Sequence, residues 1–111
     1  MDCPRSSPGR HPIDPMRFLL FYEKAPGYAE RQKPFAEQHR AYFEERARKG
    51  DMVLGGSLED PLDGSALILF EAVSAAVVES FAKNDPYVQN GIVNKWWVRK
   101  WDVVVGSKLN Q

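Results

Sequence analysis

The chain has 111 residues, room for one domain, and 43% of them are hydrophobic, enough for a packed core. Fifteen Lys and Arg balance fifteen Asp and Glu, and a formal net charge of zero argues against a domain that grips nucleic acid through its phosphates or an anionic membrane surface. A domain this small buries only about 60–70% of the surface its unfolded chain exposes, so a core shared with a second copy would help it.

Within residues 1–15 lie Pro4, Pro8, Pro12 and Pro15, and Ile13 is the clearest apolar anchor. Such a stretch cannot offset its ordering entropy by burial. The composition predicts a flexible N-terminal extension over 1–15, a domain over 16–106 and a short C-terminal tail over 107–111. The single cysteine, Cys3, cannot form an internal disulfide, which points to a reduced, cytoplasmic setting. No apolar run reaches the roughly 18 residues of a membrane span, and no signal-peptide pattern opens the chain.

From Met16 onward the periodicity is regular. Arg17–Glu23, aromatic and branched, predicts a strand that Ala25-Pro26-Gly27 breaks. Pro34 suits the start of a helix running to Lys49, with Gly50 as its stop and Arg46, Arg48 and Lys49 crowding the last turn, where the dipole favours cations. Met52–Leu54 predicts a short second strand ending at Gly55-Gly56-Ser57, and Asp60-Pro61-Leu62-Asp63-Gly64 has turn chemistry. A third strand follows over Ser65–Glu71, then a helix capped by Ser74 and running from Ala75 to about Asn84, which Pro86 ends. After an irregular stretch through Gly91, a last strand runs from Lys95 to about Val105.

The order β-α-β-β-α-β is that of a ferredoxin-like α+β fold, with both helices on one face of a four-stranded antiparallel sheet. Its strands are apolar on both sides: Phe18, Leu20 and Tyr22 point one way while Leu19 and Phe21 point the other. Two helices cover one face only. A second copy of the same sheet is the simplest cover for the other, which predicts a two-fold homodimer through the open sheet face.

Chemistry concentrates at a few positions. Phe35, His39 and Phe43 recur at i, i+4 and i+8 on the first helix, with Tyr42 beside them, so an imidazole faces the sheet boundary. It is either a core histidine with satisfied nitrogens or a general acid/base, since histidine alone titrates near neutral pH without help. Asp85, where the second helix ends, would set its charge against the helix dipole. It serves either as a turn aspartate bonded to its own backbone or as a partner for His39. An aspartate that accepts a hydrogen bond from a histidine fixes the tautomer and raises its basicity, and a well-placed base contributes about 10²–10⁴ in rate.

Gly55-Gly56-Ser57 could let a ligand approach the backbone, with Ser57 as a donor, or could be only a bend; the spacings of a phosphate-binding loop are missing. Trp96, Trp97 and Trp101 alternate with Lys95, Arg99 and Lys100, but the third strand lacks the basic-Gly-aromatic pattern of an RNA-binding module, so a dimer interface is the better use for those rings. For a metal site the inventory is thin, with His11 and Cys3 both in the extension. No metal and no cofactor are expected.

Arg17-Phe18-Leu19-Leu20-Phe21-Tyr22, Gln38-His39, Gly55-Gly56-Ser57, Asp85-Pro86-Tyr87-Val88 and Gly91-Ile92-Val93 together resemble the YciI-like family (YCII-related domain) over roughly four-fifths of the chain. The resemblance implies a dimeric ferredoxin-like α/β barrel. It also implies an active-site pair at His39 and Asp85; beside that pair, Gly56, Ser57 and Tyr87 are expected to bind substrate. The function expected is a cofactor-independent enzyme of the lyase or isomerase kind, moving a proton on a small cyclic or aromatic metabolite. The alternatives are a non-catalytic ligand-binding or accessory dimerisation module and an oxygen-using monooxygenase, since similar barrels host such chemistry.

Overall fold

The computed structural model describes residues 16–106; the expected extension and tail lie outside the described residues. Uninterrupted by Gly or Pro, Met16–Lys24 forms the first strand, β1. A one-turn helix, α1 (Tyr28–Arg31), and a 3-10 turn over Lys33–Phe35 lead into α2 (Ala36–Lys49). Pro34 therefore sits in the approach to α2 and not at its start. Gly50 closes α2 at φ +97, donating its N–H to the carbonyls of Ala47 and Arg46, a left-handed stop that a β-carbon would strain.

Strand β2 (Met52–Ser57) is longer than the sequence predicts, because Gly55, Gly56 and Ser57 continue the ladder opposite Ile68, Leu67 and Ala66. As an edge strand it tolerates glycines that a central one would not. Strand β3 (Ala66–Ala72) follows, then α3 (Ala75–Lys83) with Ser74 at its N-cap. Pro86 opens a further helix, α4 (Pro86–Gln89), as well as marking the end of α3. The last strand, β4 (Val93–Trp101), stops short of Val105 because its ladder to β1 ends at the Arg17–Trp101 pair; Val104 and Val105 beyond it are exposed.

The sheet has the order β2-β3-β1-β4 with every neighbour antiparallel, the ferredoxin-like arrangement. Phe18, Leu20, Tyr22, Ile68 and Phe70 line its inner face and pack against Val78, Phe81 and Ala82 of α3. The Phe70 and Phe81 rings meet edge to face, 5.1 Å apart. Helix α2, by contrast, has no fully buried residue. It leans on α3 through Tyr42, whose ring stacks on Phe81 at 4.7 Å and whose hydroxyl donates to the Phe81 carbonyl at 2.8 Å. A gap is left between α2 and the β2–β3 edge of the sheet, and the site lies there.

On the other face Leu19, Phe21, Leu67 and Leu69 are half-buried, and Leu54 and Trp101 are exposed. Phe21 stacks on Trp97 at 5.1 Å. Of the three tryptophans expected at this face, Trp96 departs: paired with Tyr22 in the register, it points to the helix side and packs against the core.

Candidate active site

Three elements converge on Asp85. Because Pro86 follows it, its backbone is held extended at φ −73 and ψ 128. There its side chain caps α4, with Oδ1 accepting the Tyr87 N–H at 3.0 Å. Tyr22 is the last buried residue on the inner row of β1, so its hydroxyl needs a partner; it donates to Asp85 Oδ2 at 2.6 Å. From α2, 46 residues away in sequence, His39 brings Nδ1 to 2.9 Å from Asp85 Oδ1. The Asp85 side chain is completely buried, and these three contacts satisfy it.

The turn role and the pairing role that the sequence leaves open for Asp85 thus coexist. Its expected position against the dipole of α3 is corrected: that helix ends at Lys83, and Asp85 leads the next one. Standing at the start of a helix and not at the end of one, the carboxylate gains the Tyr87 N–H as one of its three donors; the other two come from β1 and α2.

As a carboxylate Asp85 can only accept, so Nδ1 of His39 carries the proton. In the neutral ring Nε2 then holds the lone pair. The imidazole is fixed by packing as well: it stacks on Tyr87 with centroids 3.7 Å apart and planes within 4°, and Phe43 lies at 4.2 Å on a tilt. Its side chain keeps 21% exposure, enough to reach the pocket. Burial, and then the Asp85 charge, push the Tyr22 hydroxyl far above the usual tyrosine range, so it stays a proton donor to Asp85. Burial first and Asp85 second also raise Tyr87.

The pocket measures about 140 Å³ and is walled by Tyr22 and Lys24 of β1, His39 and Phe43 of α2, Gly55–Ser57 of β2, and Ala66 and Ile68 of β3. A β-carbon on Gly55 would come within 3.1 Å of Ile68, so the glycine lets the edge strand close against its neighbour. Of the three positions expected to bind substrate, Gly56 and Ser57 stand on the pocket wall, whereas Tyr87 stands behind it, supporting the imidazole. Sequence reasoning passes over Tyr22 and Lys24 as site residues. Among the described residues no group of three His, Cys, Asp or Glu side chains is placed to hold a metal ion. No helix there is long and apolar enough to cross a membrane.

A four-stranded antiparallel sheet with an imidazole and a buried carboxylate beside a pocket defines a class: small ferredoxin-like α+β domains with a cavity between helix and sheet. Within it, the chain belongs to the YCII-related domain family, whose pattern matches residues 16–102. It is similar to the 5-chloro-2-hydroxyhydroquinone dehydrochlorinase of Burkholderia phenoliruptrix AC1100, solved in complex with 2,5-dihydroxybenzoquinone, at 26% identity and a TM-score of 0.65, over 78% of this chain and 94% of that one. The Pseudomonas aeruginosa protein PA3566 shares the fold at 12% identity and a TM-score of 0.54, over 86% of this chain and all of the other. No curated protein matches the sequence.

Proposed function

We propose that the chain is a small-molecule enzyme of the lyase or isomerase kind in which His39 moves a proton on a single-ring substrate and Asp85 orients and charge-balances it. The observation that carries this reading is the 2.9 Å contact between His39 Nδ1 and a fully buried Asp85, which leaves Nε2 as the ring's free nitrogen on a side chain of the pocket wall. In the reaction, Nε2 takes a proton from a substrate C–H or O–H, and the bond's electron pair stays with the ring. An isomerase returns the proton to another atom; a lyase lets a leaving group depart with its own bonding pair. The imidazolium formed in between faces the Asp85 carboxylate.

Size supports a single ring, since a cavity of about 150 Å³ can hold a molecule as large as benzene. So does the dehydrochlorinase, whose name describes elimination from a chlorinated hydroquinone. Gly56 and Ser57 would border the ligand, with the Ser57 hydroxyl as a donor, and Tyr87 would hold the imidazole flat behind it. The chemistry needs nothing beyond side chains. We place it in the cytoplasm, consistent with a lone cysteine. The test is turnover, with 5-chloro-2-hydroxyhydroquinone as the first substrate to try. On any substrate the wild type converts, His39→Ala and Asp85→Ala are expected to lose activity, and full retention by both would sink the assignment. A ligand-binding module would bind without converting.

A second chain is proposed to cover the open sheet face. The support is the row Leu19, Phe21, Leu67, Leu69 and Trp97 together with exposed Leu54, more apolar surface than an isolated sheet face in water carries. Light scattering should give twice the chain mass, and Leu69→Glu should halve it.

A further inference from the structure

Proton transfer leaves one charged residue of the pocket without a task. Lys24 follows Tyr22 along β1, where the ladder to β4 slips: Glu23 pairs with Lys95, but Lys24 pairs with Val93. A bulge of this kind re-aims a side chain, and such bulges are over-represented beside active sites. Lys24 Nζ donates to Gln32 Oε1 at 3.0 Å and lies 5.0 Å from the Tyr87 ring centroid and 5.2 Å from that of Tyr28. Among the described residues no carboxylate makes an ion pair with it. Asp85, the acid whose charge it feels, is already occupied by three donors.

A half-buried ammonium is unfavourable without a counter-charge, and aromatic faces compensate only in part. Of its three N–H donors one is committed to Gln32, and the side chain forms part of the pocket wall.

We infer that Lys24 is the anion-binding residue of this pocket, so that the substrate class is a single-ring compound presenting a negatively charged oxygen. The inference rests on the reading of this pocket as the substrate site. Taking a proton from a hydroxylated or carbonyl-bearing ring delivers negative charge to an oxygen, and an ammonium already in place stabilises that charge without reorganisation.

Calorimetric titration of the full chain with two matched pairs of probes tests it. One pair is 2,5-dihydroxybenzoquinone, an acid ionised at neutral pH, and its neutral dimethyl ether. The other is 4-hydroxybenzoate and its methyl ester. The first pair reads an enolate-type oxygen and the second a carboxylate.

Wild type should prefer the anion in at least one pair by about tenfold or more, the scale of one charged hydrogen bond. Lys24→Met should lose that preference, Lys24→Arg should keep it, and rising salt should reduce it in the wild type. If Lys24→Met does not fold, Lys24→Gln reads the same quantity. A preference that survives loss of the charge, or wild type with no anion preference in either pair, overturns the inference. His39→Ala separates the two readings: its anion preference should persist whatever happens to turnover. Full turnover in that variant would reject the proton-transfer role and leave Lys24 standing, whereas lost turnover with no effect of Lys24→Met on binding would do the reverse.

Discussion

Phe18 and Leu20 point the same way from β1 as Tyr22, yet the two ends of that row sit in different media. Around Leu20, which is fully buried, lie Ile68, Phe70, Val78 and Phe81, all apolar. One step further along the row, the Tyr22 hydroxyl meets a buried carboxylate that in turn holds an imidazole. The difference follows from the helices. Helix α3 buries Val78, Phe81 and Ala82 against the dry end, while α2 has no fully buried residue and leaves a pocket at the polar end. The buried Asp85 carboxylate is tolerated there because Tyr22, His39 and the Tyr87 N–H all donate to it, which ties the site's geometry to that set of hydrogen bonds. Substitutions at the dry end should therefore be read in stability, and those at the polar end mainly in chemistry.

The largest effect belongs to the polar end. Replacing His39 by Ala should lower kcat by about 10²–10⁴, the contribution of a positioned general base, with only a small change in melting temperature. Steady-state kinetics beside a thermal melt checks both halves. A variant that unfolds while keeping its specific activity would dissolve the contrast. Phe81→Ala is the mirror case, expected to cost about 3–5 kcal/mol in denaturant titration, because a fully buried ring leaves a cavity. Its folded fraction should keep its turnover, with one qualification from the structure: Tyr42 of α2 stacks on Phe81, so a modest rise in KM would report a shifted α2.

Tyr22→Phe falls between the two. It removes the donor to Asp85 Oδ2 while leaving the ring's packing intact, and an unpaired buried carboxylate oxygen costs about 1–3 kcal/mol. Linkage supplies a second reading. Since the folded tyrosine's pKa is raised, the unfolded chain releases its proton first, and this residue's contribution to stability declines as pH rises past its ordinary value of 10.0. The variant should be less stable near neutral pH and should show a shallower alkaline decline, both measurable by urea titration across pH.

How far this division is legible in the sequence depends on the residue. Period-two apolar strands and helix-stop residues are local signals, and they recover the β-α-β-β-α-β order and the two-sided sheet. His39 and Asp85 are recognisable as residue types in suggestive settings, but their contact spans 46 positions, and nothing local encodes that distance. Tyr22 reads as one more core aromatic, although a hydroxyl at the end of a buried row already asks for a partner. Lys24 takes the next step of that row, and a strand predicted to stop at Glu23 leaves it out. Gly55 and Gly56 look like a bend because glycine usually ends a strand; on an edge strand the same residues continue it. Pro86 looks like a stop and is also a start, since proline at the first helical turn costs no hydrogen bond.

The smallest effect probes the boundary between the two regions. Lys24 lines the pocket, its charge met by Gln32 and two tyrosine faces but by no carboxylate ion pair among the described residues, and burial lowers its pKa against the opposing pull of Asp85. The folded protein therefore holds this proton less firmly than the unfolded chain does. That penalty on folding is fully present below the folded pKa, shrinks as pH rises through it, and is gone near the ordinary value of 10.5. Lys24→Met keeps the chain length and removes the charge, so it should melt above the wild type near neutral pH. The gap should narrow as the buffer is raised towards the ordinary lysine range. Such a result marks a residue kept for binding at the expense of stability, as a site residue and not a core residue would be. Should the variant melt below the wild type at neutral pH, the Gln32 hydrogen bond and the two tyrosine faces outweigh the burial, and Lys24 belongs with the residues that hold the fold together.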